Sequence, residues 1–227
     1  MNMGKIRAVI FDLDDTLYSE RAYVMSGFDA VASAFAGELG DPLTGAATMR
    51  RLFDTEHRPR VFDALLEARN LPSDRRLIER MIETYRAHAP SIGLYDDAAA
   101  ALAQLQDRYD LGLITDGPSA SQWAKIDALH LRSHFREIIV TGDWGSKFSK
   151  PHPRSFESMA DRLHVSPGAC VYIADNPTKD FIAPNTLGWM TIRITRPDGI
   201  YRDRDAPNHG AARIQISSLN ELEGYLA

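Results

Sequence analysis

Three carboxylates, Asp12, Asp14 and Asp15, crowd into four positions at the end of the apolar run Val9-Ile10-Phe11. Acids this close repel one another unless a cation or a proton is shared between them. A calcium loop of the EF-hand type would need an oxygen ligand, a glycine and a glutamate at its fifth, sixth and twelfth positions. Thr16, Leu17 and Tyr23 stand there instead, so that reading fails. Further along, three polar segments each run into proline: Thr115-Asp116-Gly117-Pro118, Lys150-Pro151-His152-Pro153 and Asp175-Asn176-Pro177. Proline in a first helical turn loses nothing, because the amide it lacks has no partner there, so these prolines predict helix starts beside strand ends. Helix N-termini offer free amides and partial positive charge, which suit a phosphate. The segments together supply carboxylates at Asp12, Asp14, Asp175 and Asp180, a hydroxyl at Thr115 and an amine at Lys150. Carboxylates for a hard cation, with hydroxyl, amine and amides for phosphate oxygens, are what phosphoryl transfer through a covalent aspartyl phosphate requires.

Such residues act together only if the elements carrying them present them at one edge. Short apolar runs at 6–11, 111–115, 137–141, 171–174 and 190–194 read as strands, and helical patterns near 98–108, 119–129, 154–163 and 178–187 lie between the later ones. Strand then helix, repeated, predicts an α/β fold: a doubly wound parallel sheet with helices on both faces. Ligands bind such sheets at the carboxyl edge of the strands. The interval 21–91 differs. Met25, Phe28, Val31, Ala32 and Phe35 recur at helical spacing, as do Val61, Leu65 and Ala68, then Leu77, Met81 and Tyr85. A direct crossover needs only about a dozen residues. The interval therefore predicts a helical domain, 19–91, inserted into a core domain formed by 1–18 and 92–227. Gly40-Asp41-Pro42 and Leu71-Pro72-Ser73-Asp74 break its helices, with Ser73 or Asp74 as a cap.

The 227 residues are 44% hydrophobic and 25% charged, as in an ordinary globular protein of one large domain or two unequal ones. Lys and Arg total 26 against 31 Asp and Glu, a net charge of −5, with a pI near 5.8. This balance disfavours a nucleic-acid partner. No apolar run approaches a membrane span, and the stretch from Met1 to Ile10 lacks the features of a signal peptide. A cytoplasmic protein without a membrane partner is expected. Cys170 is the single cysteine, so no internal disulfide can form, and within its apolar run it reads as a small core residue.

In its four polar segments the chain resembles the haloacid dehalogenase-like (HAD) superfamily, in particular its magnesium-dependent phosphatases with a helical cap. Asp12-Leu13-Asp14-Asp15-Thr16 is similar to the first motif, Thr115 to the second, Lys150-Pro151 to the third, and the stretch from Asp175 to Asp180 to the acidic fourth. All four occur in family order, and the resemblance spans residues 7–194. Ala174 stands where the family has glycine before the first acid of the fourth motif. The resemblance implies a HAD-like core with 19–91 as its cap domain. It implies that Asp12 attacks phosphorus and carries the phosphoryl group, while Asp14 protonates the leaving oxygen and then activates water. Mg2+ would be held by Asp12, the backbone carbonyl of Asp14 and Asp175. Thr115, Asp116, Gly117 and Lys150 would bind phosphate, Thr115 and Lys150 by their side chains. Asp180 would orient Lys150 or the metal's waters, and Asn176, like Asp116, would contribute through its backbone or supporting bonds.

Each residue also has a plainer reading. Asp12 and Asp14 could cap a helix, Lys150 could be a solvated loop lysine, and Asp180 could be a dipole partner in a first helical turn; the four motifs in order favour the site. Asp143, Lys147 and Lys179 read as surface charges, Trp123, Trp144 and Trp189 as packing residues, and the histidines show no zinc spacing. The arginines of the inserted region are matched by acids and read as solvated or paired, with Arg58 or Arg60 available to reach substrate. No lysine lies between Tyr18 and Tyr95, which argues against the Schiff-base phosphonate cleavage that some relatives perform with a cap lysine. Dehalogenation is disfavoured too, because those relatives lack the second acid that Asp14 supplies.

The expected activity is hydrolysis of a small phosphorylated metabolite, a sugar phosphate ahead of a nucleotide, by a monomer or homodimer whose cap closes over the sheet edge to exclude water. A phosphomutase on the same core would share every motif, returning the phosphoryl group to a sugar hydroxyl. A non-catalytic phosphate-binding scaffold is the reading from another class, against which the intact set Asp12, Asp14, Thr115, Lys150 and Asp175 argues. A response-regulator receiver fits the length and insertion poorly, and no P-loop motif is present.

Overall fold

The computed structural model describes residues 5–55 and 58–226. Residues 1–4, the first part of the stretch examined for a signal peptide, lie outside them. The strand β1 (Ala8–Phe11) leads into helices α1 (Glu20–Ala34), α2 (Ala36–Leu39), α3 (Pro42–Phe53), α4 (Val61–Ala68) and α5 (Arg75–Ala87). Helix and strand then alternate as α6 (Asp96–Leu105), β2 (Asp110–Thr115), α7 (Ser119–Ala128), β3 (Glu137–Val140), α8 (Arg154–Leu163), β4 (Cys170–Ala174), α9 (Ile182–Thr186) and β5 (Met190–Ile194). The edge strand β6 (Ile214–Ile216) and the short helix α10 (Glu223–Leu226) complete the order.

The strands form one parallel sheet in the order β3-β2-β1-β4-β5-β6, with helices on both faces. In register, Phe11 of β1 lies beside Leu113 of β2 and Ile173 of β4. Every residue of β1 is fully buried, as a strand covered on both faces must be, and this is why it reads as a continuous apolar run. Ile10, Ile114 and Tyr172 share a core with Phe156, Met159 and Leu163 of α8 and with Trp189. Phe11, one residue on and so facing the other way, meets Phe135 edge-on. Cys170 is buried at the start of β4, its thiol pushed up to about 12 by burial. The winding reverses between β1 and β4, which makes their shared carboxyl edge the switch point where ligands bind in this class of sheet.

The chain divides into two compact units, Ala22–Ser91 and the described residues on either side of it. Glu20 and Arg21, the first residues of α1, belong with the sheet. Within Ala22–Ser91, the ring of Phe28 meets Phe53 and Phe62 edge-on, and Phe62 meets Tyr85. Asp41 caps α3 by accepting the Thr44 amide at 2.8 Å, and Asp74, not Ser73, caps α5 through the Arg76 amide at 2.9 Å. Arg50, Arg75 and Arg80 pair with Asp29, Glu79 and Glu38. Among the described residues no helix is long and apolar enough to cross a membrane.

Candidate active site

Two of the three segments do end at a helix start: Pro118 and Pro153 are the residues before α7 and α8. The third does not. The helix expected over 178–187 is cut to Ile182–Thr186, because polar side chains hold the preceding segment in turns. Asp180 Oδ2 accepts the Asn176 amide at 3.0 Å, and Asn176 Oδ1 accepts the amide and hydroxyl of Thr178 at 3.0 and 2.7 Å. Such local bonds compete with helix. Asp180 is thus not an acid of a first helical turn; its side chain folds back beneath the carboxyl end of β4.

These loops bring most of the expected residues together. Asp12, Asp14, Asp116, Asp175 and Asn176 line one polar cavity of about 90 Å3, shared with Glu20, Lys179 and Tyr201. Lys150 approaches Asp12 from the protein side: its Nζ lies 2.6 Å from Asp12 Oδ1, 2.8 Å from Asp180 Oδ1 and 2.9 Å from the Tyr172 hydroxyl. Asp116 accepts the Thr141 hydroxyl at 2.7 Å and the Lys150 amide at 3.2 Å on one oxygen, and Lys179 Nζ at 2.8 Å on the other. Thr115 and Gly117 flank Asp116 of this wall and are not themselves among the residues that line the cavity. Thr115 is fully buried and its hydroxyl accepts a hydrogen bond from Gln122 Nε2. Gly117 sits at φ +139°, where a side chain would be strained and would press on Gln122.

Lys179 corrects one expectation. It is half-buried and ion-paired to Asp116 on the cavity wall, not a surface charge. Asp143 and Lys147 are exposed, Trp189 is buried, and Trp144 packs against the core with the Arg154 guanidinium over its ring. Glu20, Gln122 and Lys125 were not anticipated at all. Asp14 Oδ1 accepts Lys125 Nζ at 2.7 Å and the Tyr18 hydroxyl, while its Oδ2 accepts Gln122 Nε2 at 2.9 Å. A sign of Gln122 and Lys125 was available: they lie three apart on one helical stripe with Ser121 and Ile126, where an apolar face would ordinarily be.

The charges are unevenly satisfied. Burial pushes Asp12 up to about 7, against the pull of Lys150. Burial raises Asp14 as well, but Lys125 and the bonds from Tyr18 and Gln122 outweigh it and hold the group below the usual carboxylate range. Burial, with Asp180 and Asp12 nearby, drives Asp175 far upward, and burial with Asp14 nearby pushes Glu20 to about 8. Lys150 stays protonated, because Asp12 and Asp180 overcome the cost of its burial.

A divalent cation fits this arrangement. Asp12, Asp175 and Asp180 bring carboxylate oxygens within 4.8 Å of one another. Among the described residues the Asp175 carboxylate has neither a hydrogen bond nor an ion pair, although it is buried. A buried carboxylate without a partner is costly, and an all-oxygen set is what a hard cation takes.

A six-stranded parallel sheet in this order, with acids at the ends of its two central strands and a buried lysine between them, defines a doubly wound α/β enzyme of the hydrolase kind. The model of the haloacid dehalogenase-like hydrolases matches residues 6–188. The chain belongs to that family. It is 30% identical to a glyceraldehyde 3-phosphate phosphatase from Methanopyrus kandleri, over 89% of each chain. An N-acylneuraminate-9-phosphatase from Rattus norvegicus is 28% identical, over 100% of this chain and 96% of the relative. The HAD-hydrolase YfnB from Bacillus subtilis shares the fold at a TM-score of 0.70 and 22% identity, over 98% of this chain and 99% of YfnB.

Proposed function

We propose that the protein is a Mg2+-dependent phosphoric monoester hydrolase that cleaves a small phosphorylated metabolite, a sugar phosphate in preference to a nucleotide, through an aspartyl phosphate on Asp12. The observation that carries this reading is the buried Lys150 ammonium, 2.6 Å from Asp12 and 2.8 Å from Asp180 at the switch point of the sheet. The names of the relatives, phosphatases of a triose phosphate and of a phosphorylated acidic sugar, support the substrate class.

Asp12 attacks phosphorus with a carboxylate oxygen; the bond from phosphorus to the leaving oxygen breaks, and that oxygen takes a proton from Asp14, which is ionised in the free protein and receives this proton from the phosphate monoanion of the bound substrate. In the second half Asp14 takes a proton from water as the water oxygen attacks phosphorus. The acyl phosphate bond then breaks, which restores the Asp12 carboxylate and the Asp14 proton. Lys150 neutralises charge on Asp12 and on the phosphoryl oxygens. Thr115, and the backbone at Asp116 and Gly117, bind the remaining phosphoryl oxygens. Asp180 orients Lys150, and Asn176 shapes the turn that presents Asp175. Asp12, the Asp14 carbonyl and Asp175 would hold Mg2+, which would supply charge neutralisation for the transferring group. The inserted helical domain acts as the cap that selects the leaving group, and the reaction belongs in the cytoplasm.

The test is phosphate release from sugar phosphates, nucleotides and p-nitrophenyl phosphate, with Mg2+ or EDTA, for the wild type and Asp12→Asn. Release that requires Mg2+ and is lost in the variant is expected. Undiminished release by Asp12→Asn would overturn the mechanism; isomerisation of a sugar phosphate without release would make the protein a phosphomutase.

A further inference from the structure

We infer that Gln122 and Lys125 are positioning residues that hold Asp14 for proton transfer to the leaving oxygen, an inference that rests on the phosphatase reading above. Asp14 lies on the loop after β1, whereas Gln122 and Lys125 project from α7, which follows the neighbouring strand β2. Three residues apart, they share a helix face. Gln122 is 1% and Lys125 5% exposed. A lysine buried to this degree costs free energy unless it is paired, and its ion-pair partner is Asp14, at 2.7 Å. The Gln122 amide nitrogen reaches two groups at once, Asp14 Oδ2 at 2.9 Å and the Thr115 hydroxyl. With the Tyr18 hydroxyl also on Oδ1, both oxygens of Asp14 are fixed from the protein side, and the carboxylate, partly exposed, faces the cavity.

This division of contacts separates two roles. Lys125 pairs with Asp14, and among the described residues it makes no hydrogen bond to the Thr115 hydroxyl, so its removal acts on the acid and base and not on that phosphate contact. Gln122 joins Asp14 to the phosphate-binding hydroxyl, so it governs both proton transfer and phosphate affinity. Proton transfer needs the carboxyl within about 2.6–3.2 Å of the leaving oxygen, and a positioned acid contributes roughly 10²- to 10⁴-fold. Releasing Asp14 from either partner forfeits part of that factor, in proportion to how much the leaving oxygen needs a proton.

The experiment measures kcat/KM of the wild type, Lys125→Met, Lys125→Arg and Gln122→Leu on two aryl phosphates. p-Nitrophenolate departs without a proton; the more basic oxygen of phenyl phosphate needs one. Lys125→Met is expected to lose about 10- to 100-fold on phenyl phosphate but no more than about 3-fold on p-nitrophenyl phosphate. Inhibition by inorganic phosphate should be unchanged in this variant, and Lys125→Arg should recover part of the loss. Gln122→Leu is expected to show the same leaving-group dependence together with weaker inhibition by phosphate. In an Asp14→Asn background, Lys125→Met should add nothing further. Equal losses on both substrates, or none on either, overturn the inference while Asp12-dependent hydrolysis by the wild type leaves the phosphatase reading intact. If Lys125→Met does not fold, Lys125→Arg and Gln122→Leu decide by the same comparison. A wild type without Asp12-dependent hydrolysis of either compound overturns the reading, and the inference with it.

Discussion

Lys150 Nζ lies 2.6 Å from Asp12 Oδ1, and the lysine side chain is wholly shielded from solvent. The same ammonium serves Asp180, so one buried cation sustains two buried acids. Lys150→Met would leave both without it. Breaking a buried pair from one side costs about 3–5 kcal/mol. A fall of that size in the unfolding free energy from urea titration, together with loss of phosphatase activity, is expected. A variant as stable as the wild type would show that water already screens this pair.

Asp175 predicts the opposite combination. Its carboxylate is buried, unpartnered among the described residues and crowded by Asp12 and Asp180. Asp175→Asn removes the cost of burying an ionisable group beside two other acids and should stabilise the protein in EDTA by about 1–2 kcal/mol, raising Tm by roughly 2–8 °C at this chain length. The same variant should lose both activity and any rise in Tm on adding Mg2+. A lower Tm in EDTA would count against the crowding. An unchanged response to Mg2+ would remove Asp175 from the metal site.

Asp97 ties the start of α6 to the C-terminal segment, accepting Arg196 at 2.8 Å, the Ser218 hydroxyl at 2.9 Å and the Leu219 amide at 2.8 Å. Burial alone would raise its pKa, but Arg196 and the Leu219 amide outweigh that and lower it from 3.8. A depressed carboxyl pKa contributes stability that is fully present above the ordinary value and is lost as pH falls through the folded one. Asp97→Asn should therefore cost about 2 kcal/mol at pH 7. The gap to the wild type should close below about pH 4 in acid-unfolding curves. A gap that persists in acid would assign the loss to packing instead of charge.

Gly142 follows β3 and backs the loop that carries Gly117. A Cβ there would stand 2.1 Å from the Gly117 carbonyl oxygen and 2.9 Å from the Ser119 amide. Gly142→Ala must displace the loop, at a cost of about 1–3 kcal/mol. Because Gly117 and Ser119 adjoin Asp116 and the start of α7, KM and inhibition by phosphate should worsen along with Tm. A drop in Tm with unaltered kinetics would separate this loop from phosphate binding.

The local pattern already held much of the fold. The run at 190–194 became β5 and the pattern at 154–163 became α8 residue for residue, since each carries its own period and boundary. Where side-chain bonds to the backbone competed, as Asp180 and Asn176 do before α9, the helical pattern overshot. The edge strand β6 went unseen, because Ile-Gln-Ile is too short for alternation to register. Within the site, Asp12, Asp14, Lys150 and Asp175 stood out by type and spacing. Glu20 and Lys179 did not, because a single charge at a helix start or in a turn has no period to betray it.

By itself the sequence determined which chemistry was available: the acids after the first strand and one hydroxyl at the end of the second, recognisable from hydrophobic period, and one amine beside proline, recognisable from proline position. Only the tertiary structure decided which of them touch. Asp12 and Lys150 are 138 positions apart, and Asp14 and Lys125 are 111. Those distances close through the sheet order, which sets β1 between β2 and β4. Sheet order rests on packing and pairing summed over the whole chain, and no short segment encodes such a sum.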